Sequence, residues 1–254
     1  MSVASANVLL PMLQKLERRA DLDDADREAF LSVSCHLKSV EANVYIVREG
    51  DRPDRSCVIV SGFAFRHKLT ESGDRQIVSI HIPGDFIDLD GSLLNIADHN
   101  IQTFTRCEIA FIPREAIHNL VLTHPRLGMA MWIDTLIDAS IFREWVMNVG
   151  QRDARARIAH LLCEFAKRLE VAGLSERLGY QLPMTQEQIG KATGLTTVHV
   201  NRVLKQLANE GLIVRSKREV IIPDWERLRQ VAGFNETYLH LDQVARGQKV
   251  DRAV

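Results

Sequence analysis

The sequence predicts an α+β chain: an antiparallel β-roll, then one long helix, then a helix-turn-helix followed by a small β-hairpin. Three observations carry that prediction. Glycines recur at 50, 62, 73 and 84 between short β-branched and aromatic runs. Residues 124–148 form a helical stretch that is apolar on more than one face. Residues 185–209 hold a T-x-x-Q box, a glycine turn and a second amphipathic stretch.

Taken in order, residues 12–35 read as short helices, with Asp21, Asp23 and Asp24 crowding a helix start, where negative charge complements the helix dipole. From 43 to 112 the pattern is VYIV (44–47), CVIV (57–60), FAFRHKL (63–69), QIVSIHI (76–82), IQTFT (101–105) and CEIAFI (107–112). Short strands at near-regular spacing with turn signals between them argue for an antiparallel roll or barrel. The long helix follows from His124 to about Asn148, with Pro125 in its first turn. Leu127, Met131, Ile137, Ile141 and Trp145 make one apolar set, and Met129, Trp132, Ile133, Leu136 and Met147 another. A helix apolar on two faces must bury two faces. One face can cover the roll. The other most simply packs on the same helix of a second subunit, the alternative being a helix sandwiched within its own chain. NVGQRD (148–153), with Gly150 inside it, reads as a hinge, and ARARIAHLLCEFAKRLEVAG then runs as a helix from about 154 to a stop at Gly173.

Thr185 and Gln188 form a capping box that starts a helix at 185. Ile189 and Ala192 supply its apolar face, and Gly194 ends it. Thr196 caps a second helix reaching about Asn209, with Val200, Val203, Leu204 and Leu207 facing inward. Two short helices around a glycine-containing turn make the helix-turn-helix plan. GLIVRSKREVIIPD (211–224) then sets two β-branched runs around SKRE, a hairpin or "wing". The competing reading is a helical hairpin with a solvated charged surface. DNA binding asks for phosphate contacts that position and base contacts that specify. Thr185, Gln186, Thr196, Thr197 and the free amides at two helix starts suit phosphates. Arg202 can donate two hydrogen bonds to a guanine edge, although taken alone it is equally a solvated arginine. Asn201 or His199 could read a neighbouring base, and Lys205, Arg215, Lys217 and Arg218 add attraction for the backbone.

Charge divides along the chain. Residues 1–150 carry 15 basic and 21 acidic side chains, and residues 151–254 carry 17 and 12, so a net charge of −1 hides a basic C-terminal part. That split suits a neutral or acidic sensor joined to a module for a polyanion. No signal peptide and no run long enough to span a bilayer is evident, so a cytoplasmic protein without a membrane partner is expected. Cysteines at 35, 57, 107 and 163 form neither a CxxC pair nor an iron–sulfur run, and are expected to be buried or half-buried thiols. No catalytic and no metal-binding residues are expected. A cupin-type metalloenzyme needs a His-x-His pair in the roll, whereas His67 and His81 stand apart in strand-like runs. A third reading gives the winged helix to protein contacts.

The stretches EGDRPDRSCVIVSGFAF, IPGDFI, RDARARIAHLL and TQEQIGKATGLTTVHVNRVLKQLANEGLI together resemble the cyclic AMP receptor protein/fumarate-nitrate regulator (Crp/Fnr) family of bacterial transcription factors, over about residues 20–224. The resemblance implies N-terminal helices with a cyclic-nucleotide-binding-like β-roll as sensor over 1–123 and a dimerisation helix over 124–149. A winged helix-turn-helix DNA-binding domain over 150–233 and a tail over 234–254 complete the chain. It further implies a homodimer reading palindromic DNA through a recognition helix at about 196–209, RNA polymerase as a partner, and an unknown small-molecule effector.

Two departures from the family pattern stand out. Cyclic-AMP-binding members use a glycine-glutamate pair after the "GDF" turn and a later arginine-serine pair. Here Asp88 and Leu89 fall at the first, and His99 and Asn100 near the second. The candidate effector pocket is therefore Asp88, Asp90, Gly91, Ser92, His99 and Asn100. Without that arginine, and with Asp85, Asp88, Asp90 and Asp98 nearby, a cyclic phosphate meets repulsion, so no cyclic nucleotide is expected. The N-terminal cysteine cluster of iron–sulfur members is also missing. No cofactor is predicted, with a haem held by His67, His81 or His99 as the alternative. The second departure is in the recognition helix. Many members carry a glutamate three positions before a Ser/Gly-Arg pair, where this chain has Val198, Asn201 and Arg202. Val198 cannot accept from cytosine but can touch a thymine methyl.

Overall fold

The computed structural model describes residues 8–175 and 179–241, which fall into two compact units. Of the described residues, one unit comprises 8–66, 80–139 and 240–241, and the other comprises 67–79, 140–175 and 179–239.

In the first unit, α1 (Leu10–Glu17) and α2 (Asp24–Leu31) precede the roll. Asp23 caps α2 as expected, accepting from the Asp26 N–H at 2.9 Å while the Asp26 carboxylate accepts from the Asp23 N–H at 3.2 Å. The six strands expected from the sequence are present: β2 (Tyr45–Val47), β3 (Arg55–Ser61), β4 (Ala64–Leu69), β5 (Arg75–His81), β6 (Asn100–Thr103) and β7 (Cys107–Pro113). A further strand, β1 (His36–Val40), pairs antiparallel with β7, placing His36 opposite Phe111 and Val40 opposite Cys107. HLKSV carries no strong β pattern and is mostly exposed, so its pairing comes from the partner edge rather than from its own propensity. The strands make two sheets, in the orders β1-β7-β3 and β2-β6-β4-β5.

The four spaced glycines all turn with positive φ, between 83° and 90°. At Gly62 a side chain is excluded outright, because a Cβ there would lie 2.3 Å from the Arg106 carbonyl oxygen. β3 and β7 alternate between two cores. Val58, Ala110 and Ile112 pack with the helices around Leu13, Leu16, Phe30 and Leu127, while Cys57, Ile59, Cys107 and Ile109 face the roll interior with Val40, Ala64, Ile87 and Ile101. Both faces of these strands are covered, which is why CVIV and CEIAFI are nearly continuous apolar runs.

α3 (Arg114–Thr123) leads into α4 (Pro125–Gln151). Leu127, Met131, Ile137, Ile141 and Trp145 are buried, while Met129, Trp132, Leu136 and Met147 are exposed. The hinge expected at 148–153 is shorter than its sequence suggests. α4 runs unbroken through Gly150 to Gln151, and the chain breaks only where Asp153 caps α5 (Ala154–Val171), accepting from Ala156 N–H at 2.8 Å. A glycine costs a helix about 1 kcal/mol but does not end it without a competing cap.

In the second unit α5 stops at Gly173, with φ 70°. Its Glu164 is buried and accepts from Trp145 Nε1 (3.0 Å to each carboxylate oxygen) and from the Tyr238 hydroxyl (2.8 Å). Arg152 ties the end of α4 down, donating to Glu144 at 2.6 Å. Tyr238 stacks on His160 and Phe234 meets it edge-on, so the segment after the wing packs on its own domain up to residue 239. Residues 242–254 of the expected tail lie outside the described residues.

Candidate nucleic-acid interface and effector pocket

The helix-turn-helix is built by local hydrogen bonds. The Thr185 hydroxyl accepts from Gln188 N–H at 3.2 Å, and the Gln188 amide oxygen accepts from Thr185 N–H at 2.8 Å, closing the box that starts α6 (Gln186–Thr193). Gly194 ends α6 in the left-handed conformation, and Thr196 caps α7 (Thr197–Asn209), accepting from His199 N–H at 3.3 Å. Val200, Val203, Leu204 and Leu207 are buried beneath α7, on the face the periodicity indicates. Gly190 brings the two helices together: a Cβ there would stand 2.4 Å from the Leu195 carbonyl oxygen.

Of the expected DNA-contacting residues, Thr185, Thr196, Thr197, Val198, Arg202 and Lys205 are exposed; Gln186, His199 and Asn201 are half-buried. Val198 is 81 % exposed, so its side chain is free to meet a partner of the helix face. Asn201 Nδ2 donates to Gln186 Oε1 at 3.0 Å, so two of these residues brace each other across the turn. Arg157 of α5 donates to the Thr193 carbonyl at 3.1 Å and to the Arg152 carbonyl at 2.9 Å, fixing α6 against the domain. The wing is larger than the expected hairpin. β9 (Val214–Ser216) and β10 (Glu219–Ile221) turn at Lys217, with φ 54°, and β10 also pairs with β8 (Gly179–Gln181). Lys217 and Arg218 are exposed at the turn. Arg215 is half-buried with its Nε enclosed, and burial lowers its pKa against the pull of Tyr180, so it is less available to a backbone than Lys217 or Arg218.

In the roll, Asp88, Asp90 and His99 come together: one ligand atom of each lies within 4.8 Å of the others. The Gly91 N–H donates to the Asp88 carboxylate, which fits against the bare Cα of that glycine. Burial and neighbouring Asp90 push the Asp88 carboxyl up to about 7, against the pull of Arg66. His99 Nδ1 pairs with Asp98 at 2.6 Å, and burial followed by Arg66 lowers its pKa. Ser92 and Asn100 serve the backbone, donating to Leu89 O at 2.6 Å and accepting from Glu49 N–H at 3.2 Å. Asp85 is not part of this cluster; it is matched by Lys15 at 2.8 Å and accepts from Ile82 N–H at 2.9 Å.

Sequence reading missed Arg66. From β4 it reaches Asp138 at 2.9 Å, the Ile87 carbonyl at 3.2 Å and Asp90 at 3.7 Å, so the pocket does contain an arginine, already held by Asp138. His67, His81 and His99 are all buried, as are Cys57, Cys107 and Cys163, while Cys35 is half-buried. Burial pushes the Cys107 thiol up to about 11, so it is not a reactive thiolate.

Comparison with known proteins agrees with this layout. Residues 37–124 match the family model of the cyclic nucleotide-binding domain, and residues 156–231 that of the Crp-like helix-turn-helix domain. The chain is 29% identical to the transcriptional activator protein FnrL of Cereibacter sphaeroides over 214 residues, 83% of this chain and 86% of that one. It is 25% identical to the transcriptional activator protein Anr of Pseudomonas protegens, covering 90% of each. Among solved structures, FixK2 from Bradyrhizobium japonicum superposes with a TM-score of 0.74 at 22% identity, covering 80% of this chain and all of that one, a likeness of fold. No helix among the described residues is long and apolar enough to cross a membrane. With a cyclic nucleotide-binding-type roll, a long helix and a Crp-like DNA-binding helix-turn-helix in this order, the chain belongs to the Crp/Fnr family of transcription regulators.

Proposed function

We propose that the protein is a homodimer that reads a pseudo-palindromic operator through paired α7 helices, under a signal that is not cyclic AMP. The observation that carries the reading is the exposed face of α7, where Thr197, Val198, Arg202 and Lys205 stand together beyond a capped helix start. Arg202 is assigned to a guanine in each half-site and Val198 to a neighbouring thymine methyl. Thr185, Gln186, Thr196 and Thr197 hold phosphates, with Lys205, Lys217 and Arg218 adding attraction. His199 and Asn201 flank the base contacts.

Dimerisation is assigned to α4. Met129, Trp132, Leu136, Ala139, Arg143 and Val146 are exposed at alternating spacings of three and four, the repeat of a two-helix seam. A second copy of α4 is the occupant that matches such a seam, and a two-fold pair of α7 helices would meet major grooves about 34–36 Å apart. The working division is a sensor over 1–123, a dimerisation helix over 124–149, a DNA-binding domain over 150–233 and a tail from 234. RNA polymerase enters as a partner through the resemblance. Cyclic AMP is excluded from the reading because Leu89 offers no carboxylate to a ribose and Arg66 is held by Asp138.

Selection from a random DNA pool tests the reading. Recovered sites should be two-fold symmetric with one guanine per half-site essential. Asymmetric sites, or binding without sequence preference that vanishes at moderate salt, would overturn it.

A further inference from the structure

We propose that Asp88, Asp90 and His99 form a binding site in the roll for a divalent first-row transition ion. The three residues come from the turn after β5 and from the residue before β6, and one donor atom of each lies within 4.8 Å of the others. Two protein ligands about 2.1 Å from one ion stand about 4.2 Å apart when opposite and about 3.0 Å apart at a right angle, so side-chain rotation must draw the three donors closer as the ion binds.

The buried groups point the same way. Asp88 Oδ2 and His99 Nε2 are enclosed without a hydrogen-bond partner, in residues that are 1 % and 5 % exposed. Buried acceptors left unpaired are costly, and a cation is what an orphaned carboxylate oxygen and an imidazole lone pair both accept. His99 Nδ1 is held by Asp98 at 2.6 Å and lies 3.9 Å from Asp90 Oδ2, so Asp98 fixes the orientation of the imidazole beside the two carboxylates. Gly91 leaves room for the Asp88 carboxylate, since a Cβ there would lie 2.7 Å from Oδ2. Arg66 lies 3.7 Å from Asp90 but is matched by Asp138 at 2.9 Å, so it does not by itself neutralise both Asp88 and Asp90.

One imidazole and two carboxylates suit Mn²⁺, Fe²⁺ or Zn²⁺, with further positions left for water. This goes beyond the DNA-binding reading and departs from the expectation of no metal residues. Neither the sequence spacing nor the family models point to it.

Calorimetric titration of the untagged, chelator-treated full chain with Mn²⁺ tests the site without DNA, so its failure is distinct from failure of the operator reading. Mn²⁺ is chosen because oxygen and imidazole ligands hold it and thiols do not. One equivalent per chain is expected, with Asp88→Asn and His99→Ala each weakening binding at least tenfold and Asp98→Asn roughly 10–100-fold as an orienting residue. Mn²⁺ should also raise the melting temperature of the unmutated protein and not that of Asp88→Asn, whose own cooperative melt establishes that it is folded. Lack of saturable binding by the unmutated chain, or equal binding by the folded variants, overturns the proposal.

Discussion

At the residue scale, the proposed recognition surface gives its side chains separable roles. Arg202→Ala should cost roughly 1–3 kcal/mol on the specific operator and relax preference at one base pair, measured by titration on matched and mutated sites. Val198→Glu restores a group that can accept from cytosine N4. It should move the preferred base at the adjacent position toward cytosine in a selected pool, leaving the guanine requirement in place. Gly190→Ala acts differently, because its Cβ would press on the Leu195 backbone oxygen. A loss of about 1–3 kcal/mol in thermal stability is expected, with DNA binding falling alongside. Thr185, Gly194 and Thr196 were legible in the sequence because caps and left-handed stops depend on neighbours three residues away. Gly190 was not, since inside a helix a glycine looks like a weak position until the turn is folded over it. Arg66 was equally illegible, its partner Asp138 lying 72 residues along the chain.

At the element scale, α4 carries two surfaces that the sequence distinguished only as two apolar sets. The buried set packs within the chain, and the exposed set includes Trp132 at 61 % and Leu136 at 54 % exposure. Burying such a side chain is worth about 1.5–3 kcal/mol, so Leu136→Lys should weaken self-association at least tenfold, read by sedimentation equilibrium. Full-site DNA binding should fall with it while the melt of each chain persists. The junction of α4 with α5 depends on Glu164, which takes hydrogen bonds from Trp145 and Tyr238 in a buried site. Glu164→Ala leaves both buried donors unsatisfied, at about 1–3 kcal/mol of stability each in chemical denaturation. Nothing in ARARIAHLLCEFAKRLEVAG marks that glutamate as internal, because its partners arrive from two other segments.

At the scale of the whole molecule, binding to DNA should be strongly salt-dependent although net charge is −1, because the basic excess lies in residues 151–254. A dimer making about 6–10 phosphate contacts should lose roughly 10³–10⁵ in affinity between 50 and 200 mM salt. Acid stability has a nameable source in Glu144, whose Oε1 lies 3.2 Å from His160 Nε2 and 2.6 Å from Arg152. The His160 contact, opposed by burial and aided by Arg152, holds this carboxyl below its ordinary range. A depressed carboxylate contributes stability that is present above its unfolded pKa of about 4.3 and is lost as pH falls through the folded value. Melting temperature should therefore decline below about pH 4.3, and Glu144→Gln should flatten that decline. What the sequence by itself determined was the order of elements, the turns and the two helix starts of the DNA-binding motif. These follow from short-range hydrogen bonds and from the two- and 3.6-residue periods of the chain. Tertiary structure alone decided that β1 joins β7, that α4 continues through Gly150, and that Arg66 enters the pocket. Within the pocket expected from the sequence, it decided that donor atoms of Asp88, Asp90 and His99 meet while Ser92 and Asn100 serve the backbone. The physical reason is that burial, ion pairing and strand partnership are set by which distant segments meet, and spacing along the chain does not encode that distance.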